Sequence, residues 1–287
     1  MDDLTFTLRQ LCKRNRDGSH ATQADRLSVL MLTGRQLKAA GYRQMRATSL
    51  ADRHVEALLG QWKAEGLSVG TLKNRLSCLR WWAEKVGKAS VIPTDNAQLG
   101  IAERRYVTNV DKAKTLGDAL TRVTDVHVRM SLTLQQAFGL RREESIKFQS
   151  EYADRGDCVV LKGPWTKGGR PRTIPITTPE QRAVLDQAHR LVGAGSLIPA
   201  HKTYIQQRHT YDFQCKSAGL SNMHGLRHHY AQARYAMLTG WAAPAAGGPP
   251  VRTLTEVQRI EDAIARQTIS HELGHERIDV VSVYLGR

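Results

Sequence analysis

Apolar side chains recur at helical spacing, and a segment hostile to helices follows them, so the chain is limited to helical bodies joined by a connector. Leu50, Val55, Leu58, Leu59 and Trp62 form one stripe, and Leu72, Leu76, Leu79, Ala83 and Val86 form a second, both with the periodicity of amphipathic helices. Ser49 and Ser68 precede these runs and are expected to N-cap them. From Lys88 to Val107 the period fails at Pro93, Thr94, Asp95, Asn96 and Gly100, which predicts a linker. Residues 1–105 and 106–287 then form two domains, and 287 residues supply a core for each. No internal repeat is visible. Past the linker, Leu132 to Phe148 reads as a helix. Cys158-Val-Val-Leu161 and Arg172-Thr-Ile-Pro-Ile176 read as short strands around a Gly/Pro-rich turn, with Pro175 confining the second to an edge. Helices resume near Pro179 and again from His224. The expected fold class is mainly α with a small antiparallel β-sheet.

Charge narrows the partner. The formal net charge is +15, and such an excess favours a polyanion. No window approaches the ~18 apolar residues of a spanning helix, and the opening Met1-Asp2-Asp3 contradicts a signal peptide. Nucleic acid is therefore a better partner than a membrane. Four widely spaced cysteines without a C-x-x-C pair indicate a reduced, cytoplasmic protein. Residues 1–105 hold 18 Lys and Arg against 10 Asp and Glu, and the remainder is basic as well. Two basic lobes suit a grip on one duplex. Lys73, Arg75, Arg80, Lys85 and Lys88, set between the apolar positions of the first lobe, are its candidate DNA contacts, with a solvated helix face as the ordinary alternative for each.

Two chemistries compete at the C-terminal end. His271-Glu-Leu-Gly-His275 is H-E-x-x-H, the zinc-protease signature, yet Leu273-Gly-His275 is also followed nine residues on by Tyr284. A catalytic zinc needs three protein ligands and an open position. Ile278 stands where the extended zinc motif turns at glycine, and none of the twelve residues after His275 is histidine. Glu276 and Asp279 are too near in sequence to fold back as ligands. His224 and His228 form a second i, i+4 pair, which leaves a composite site open. The balance is against zinc, and neither a metal nor another cofactor is expected.

The tyrosine reading gains from the rest of the chain. Gly139-Leu-Arg-Arg-Glu-Glu144 sets Arg141 and Glu144 three apart, on one face if helical. Lys167 falls at the tip of the expected hairpin, and His224-Gly-Leu-Arg227 pairs an imidazole with a guanidinium at the same spacing. Each motif alone is common. Their order, in a basic chain with the terminal histidine and tyrosine, is not.

This ordered set resembles the tyrosine recombinase (phage integrase) family, over essentially the whole chain and most specifically over 139–284. The resemblance implies an active site of Arg141, Glu144, Lys167, His224, Arg227, His275 and Tyr284. It also implies that residues 1–105 are a helical core-binding domain, which with the 106–287 catalytic domain closes on double-stranded DNA as a C-shaped clamp. The Tyr284-Leu-Gly ending is similar to mobile-element integrases. Two departures stand out. Arg227 and His275 are separated by 47 residues, about twice the family's usual spacing, with the excess near 241–265: a Pro/Gly/Ala loop from Trp241 to Leu254, then a helix-like Glu256 to Gln267. The sequence also stops at Arg287, where many relatives carry a further helix that docks on the neighbouring protomer.

The chemistry follows from the residue types. A covalent phosphotyrosine conserves the energy of a broken phosphodiester for resealing. A phenol, ionising near pH ~10, needs a base at neutral pH, and His224 is the candidate. Arg141 and Arg227 match charge developing on phosphate oxygens, Lys167 would protonate the leaving 5′-oxygen, His275 would hydrogen-bond the phosphate, and Glu144 would orient its neighbours. At 100° per residue, His275 and Tyr284 on one unbroken helix would face opposite ways. The helix must therefore break between them, with Asp279 as the expected N-cap of a new one. The sequence thus reads as a bacterial, nucleoid-associated site-specific recombinase. It is expected to be monomeric or dimeric when free and tetrameric at synapsis, with room for an accessory DNA-bending protein. A type IB topoisomerase-like relaxer and a catalytically silent DNA-binding regulator are the alternatives.

Overall fold

The computed structural model describes residues 3–275 and 277–287; Glu276, weighed above as a metal ligand, lies outside them. The chain divides into two compact units, Met1–Arg105 and Tyr106–Arg287.

In the first unit, α1 (Asp3–Arg14), α2 (His20–Ala39), α3 (Asp52–Ala64) and α4 (Val69–Lys85) surround a core that includes Leu8, Leu30, Leu37, Leu58, Trp62, Leu76, Leu79 and Trp82. Both tryptophans donate their indole N–H, Trp62 to Gln36 Oε1 at 2.9 Å and Trp82 to the Ala47 carbonyl at 2.8 Å, so neither carries an unpaired buried donor. Ser68 caps α4 by accepting from the Thr71 amide at 3.2 Å. Ser49 does not cap α3. That position belongs to Ala51, whose amide donates to His54 Nδ1 at 3.0 Å, while Ser49 closes a 3₁₀ turn. Much of the expected linker is folded here: Ile92 and Ile101 are buried in this core. Pro93 and Gly100 end helical structure without freeing the chain, because apolar anchors flank them.

In the second unit, α5 (Val126–Phe138) stops at Gly139, and α6 (Arg142–Ile146) starts anew. The single helix expected over Leu132 to Phe148 is thus two. Gly139 has φ +60°, and a Cβ there would lie 2.6 Å from Tyr230 Cδ1, so conformation and space both require glycine. After α7 (Ser150–Ala153), β1 (Cys158–Leu161) pairs antiparallel with β2 (Arg172–Pro175), with Leu161 opposite Arg172 and Cys158 opposite Pro175. Then come α8 (Pro179–Val192), α9 (Tyr204–Ser217), α10 (Gly225–Thr239), α11 (Glu256–Glu272) and α12 (Ser282–Leu285). The main core joins Phe138, Phe148, Leu161, Ile174, Leu185, Tyr235, Ile269 and Leu285. The helix-like Glu256 to Gln267 continues as α11 to Glu272. The Pro/Gly/Ala segment before it packs closely, with Ala243, Ala245 and Leu254 buried. Among the described residues the architecture is mostly helical with one two-stranded antiparallel sheet. No helix among the described residues is long and apolar enough to cross a membrane.

Candidate active site

The H-E-x-x-H segment does not form one helical face. α11 ends at Glu272, Leu273 is its C-cap, and Gly274 turns the chain with φ +66°, so His271 and His275 are not stacked one turn apart. The glutamate is already committed: Glu272 accepts from Tyr230 Oη at 2.8 Å and from Arg234 Nη2 at 3.0 Å. Among the described residues no three His, Cys, Asp or Glu side chains are grouped to hold a metal ion.

The break that separates the histidines brings His275 and Tyr284 together. It falls before His275 rather than after it. A 3₁₀ turn, Ile278–Val281, then leads into α12. Asp279 lies inside that turn, and the N-cap is Arg277 with no side-chain cap bond. The entry is stabilised by packing, with Val281 and Leu285 fully buried, rather than by a carboxylate cap.

Glu144 is the hub of the basic cluster. It is fully buried at the third position of α6, and its Oε2 accepts the Arg141 amide at 2.7 Å in a capping box. Arg141 Nη1 donates to Oε1 at 2.9 Å, and Arg172 donates in a fork to both oxygens at 2.7 Å. Burial alone would raise this carboxyl, but Arg172, Arg141 and Arg227 outweigh it and lower the pKa to about 2. Arg141 and Glu144 therefore meet through a cap, not as partners inside one helix.

Tyr284 is buried, with its hydroxyl 3.3 Å from Arg227 Nε and 3.3 Å from His224 Nε2. α10 arranges this. His224 occupies its N-cap, Arg227 follows in the first turn, and His228 sets its ring 4.6 Å from the tyrosine ring. Gln232 Nε2 donates to the Tyr284 carbonyl at 3.2 Å. Burial first, and then the charges of Arg227 and Arg141, hold His224 below the usual imidazole range. His224 Nε2 and the Tyr284 hydroxyl, which accepts from Arg227, thus lie within hydrogen-bonding reach of each other.

Arg227 is 1% exposed. Its Nη1 donates to the Gly139 carbonyl at 2.5 Å and its Nη2 to the Leu273 carbonyl, and His275 Nε2 lies 3.4 Å from Nη2. This one side chain ties the turn before Arg141, the turn before His275 and the phenol together. Its own pKa falls to about 10, chiefly through burial, which leaves it charged at neutral pH. His275 is lowered to about 3, by burial and then by Arg227, Arg141 and Arg172.

In front of this cluster lies an open cleft of about 980 Å³, lined by residues that include Arg141, Lys167, Arg172, His224, His275 and Tyr284. Lys167 stands exposed in the hairpin loop. Arg227 is not among the lining residues. Arg172, which the sequence reading did not single out, is: its position opposite Leu161 in the β1–β2 register aims it at Glu144. The one signal was a cation opening the strand after the lysine turn. His228 is weighed in the sequence only as a metal-ligand partner of His224, and Gln232 not at all, although their spacing from His224 puts both on the same side of α10.

The cations picked in the first unit fare differently. Arg80 donates to the Pro93 carbonyl at 2.6 Å and to Asn96 Oδ1 at 3.0 Å, Lys88 to the Leu50 carbonyl at 3.0 Å, and Lys85 pairs with Asp17 at 3.0 Å. Arg75 lies over the Trp62 ring at 5.1 Å. Lys73 is half-buried on α4.

Residues 1–92 match the phage integrase N-terminal family, and residues 102–233 match the integrase family. The chain belongs to the integrase family of tyrosine recombinases, which cleave and rejoin DNA. No curated protein matches it significantly. Among solved structures, a lambda integrase dimer bound to a COC′ core site aligns with a TM-score of 0.63 and 15% identity, over 99% of this chain and 78% of that one. The Tn1549 transposon integrase with circular intermediate DNA aligns at 0.58 and 12%, over 100% and 96%. XerH recombinase on a palindromic difH substrate aligns at 0.58 and 17%, over 99% and 81%. At these identities the likeness is one of fold.

Proposed function

We propose that this tyrosine recombinase is a mobile-element integrase that works through a 3′-phosphotyrosine intermediate formed on Tyr284. The carrying observation is the phenol oxygen, 3.3 Å from both His224 Nε2 and Arg227 Nε, at the edge of a cleft lined by cations. A scissile phosphate in that cleft meets Arg141 and Arg172 at its non-bridging oxygens, where preorganised donors stabilise developing charge. Tyr284 Oη attacks phosphorus, and its proton passes to His224. The P–O bond to the 5′-oxygen breaks, and Lys167 protonates the departing oxygen. Resealing reverses each step. Arg227 acts first on the phenol, which it stabilises as negative charge grows, and on His275, which it holds toward the phosphate. Glu144 fixes the two cleft arginines without touching substrate.

The proposed substrate is duplex DNA held by both basic units as a clamp. The DNA-bound lambda, Tn1549 and XerH structures lend support to this, and the lambda tetramer on a Holliday junction supports tetrameric synapsis. The test is incubation with nicked duplexes from the flanks of the encoding element, followed by a denaturing gel. The wild type should form a covalent adduct. Tyr284→Phe should form none while keeping DNA affinity within about threefold, since one lost hydroxyl bond is worth only ~1 kcal/mol. An adduct surviving in Tyr284→Phe would overturn the assignment.

A further inference from the structure

α12 has four residues and no side-chain cap, too little to hold a nucleophile by its own helical stability. Beyond the packing of Val281 and Leu285 and the Gln232 bond to the Tyr284 carbonyl, it is held by the segment that lengthens the chain between Arg227 and His275. Asp262 and Arg266, one turn apart on α11, are 4% and 8% exposed, and Arg266 Nε bonds both Asp262 oxygens at 2.8 Å. Its Nη1 then reaches across to α12, donating to the Gly286 carbonyl at 3.0 Å and to Ser282 Oγ at 3.4 Å. The carboxylate is gripped from the other side as well: Tyr235 Oη of α10 donates to Asp262 Oδ1 at 2.6 Å, and Trp241 Nε1 donates to that tyrosine oxygen at 3.2 Å. Gly286 packs so tightly on the same segment that a Cβ would sit 2.8 Å from the Ala245 nitrogen.

A buried ion pair of this kind adds little net stability, because desolvation consumes most of the attraction. Its bonds nonetheless fall on both sides of Tyr284, at Ser282 and Gly286, where they fix both ends of the short helix. Resting on the assignment of Tyr284 above, we propose that Arg266 is a positioning residue: with Asp262 it latches α12 onto α11 of the same chain, so that the phenol stays docked on His224 and Arg227 before DNA arrives.

The experiment compares the full-length wild type, Arg266→Met, Arg266→Lys and the double variant Asp262→Asn/Arg266→Gln, which removes both charges together and so leaves no orphan ion in the core. Single-turnover cleavage of a nicked duplex is measured at saturating DNA, with hydrogen exchange of the free proteins alongside. Arg266→Met and the double variant should cleave about 10²-fold more slowly, the scale of an ångström-level misplacement of a reacting group, with DNA affinity unchanged. Exchange should rise in peptides covering 278–287 and stay constant in those from α10. Arg266→Lys should recover part of the rate, since an ammonium can still reach the Gly286 carbonyl. Wild-type cleavage in the double variant would overturn the proposal. So would exchange that rises across α10 and α11 together, which would make the pair a general core element. A surviving adduct in Tyr284→Phe would instead overturn the nucleophile assignment, and it is read from a different protein.

Discussion

The two units treat their positive charge in opposite ways. In the second, Arg141, Arg172, Arg227, His224 and His275 converge, held by buried Glu144 and by backbone carbonyls, around one tyrosine and one cleft. In the first, four of the five cations singled out from sequence are engaged within their own unit: Arg80 and Lys88 close loops, Lys85 pairs with Asp17, and Arg75 lies over the Trp62 ring. A charge in a spaced motif and a charge in a general surplus therefore carry different information. A motif cation has a role fixed by its neighbours. A surplus cation is as readily used to tie down a loop as to meet a phosphate.

The largest expected effect tests the motif side of that contrast. Lys167→Ala should slow cleavage by about 10²–10⁴-fold, the range for a general acid. A substrate with sulfur at the bridging 5′ position needs no proton on its leaving group and should restore most of the rate. Arg227→Ala should not be rescued in this way, because its guanidinium acts on the phenol and its surroundings. Equal rescue of both variants, or of neither, would return Lys167 to the ordinary surplus.

Glu144→Gln comes next. Removing the carboxylate leaves the almost buried Arg172 without its partner, which should cost roughly 3–5 kcal/mol of stability and disorder both cleft arginines. Because the folded-state pKa is depressed to about 2, the contribution of Glu144 is present above its ordinary value of 4.5 and lost as pH falls toward 2. Chemical denaturation across that window should show wild type and variant converging at the acid end. Parallel curves would refute the hub.

A smaller effect belongs to His224. Held below its ordinary range by burial and by Arg227 and Arg141, it stays neutral to lower pH than a free imidazole. The acidic limb of kcat/KM, which reports the free enzyme, should therefore have its midpoint below about 6.5. A midpoint above that value would point to another base.

The smallest effects sort the first unit's cations. Lys73→Ala should flatten the salt dependence of DNA binding by about 0.9 in log–log slope, one phosphate's worth. Arg80→Ala should leave that slope unchanged and lower stability by about 1–3 kcal/mol through its lost bonds to Pro93 and Asn96. The reverse pattern would erase the distinction between the units.

Much of the second unit was legible because its chemistry recurs at fixed spacings. The arginine and glutamate three apart, the hairpin lysine, the histidine and arginine three apart, and the terminal histidine and tyrosine all stand out in the sequence by their spacing. The elements that sequence missed depend on contacts between distant positions. Arg172 reaches Glu144 through strand register. Gly139 is required at its turn because Tyr230, 91 residues away, leaves no room for a Cβ. α9 is polar, with only Gln207, Tyr211 and Cys215 buried, so its apolar stripe was too thin to register. Asp262 and Arg266, an i, i+4 pair, have the spacing of an ordinary solvated salt bridge, and only the packing of α12 and Trp241 buries them.

The most direct measurement identifies the atom that holds DNA. The adduct trapped on a nicked duplex is digested with trypsin and sequenced by mass spectrometry. Cleavage after Arg277 releases Ile278 to Arg287, in which Tyr284 is the only tyrosine. A 3′-phosphate-linked nucleotide is expected on that residue. DNA attached to any other side chain, or no adduct on a duplex the protein binds, would contradict it.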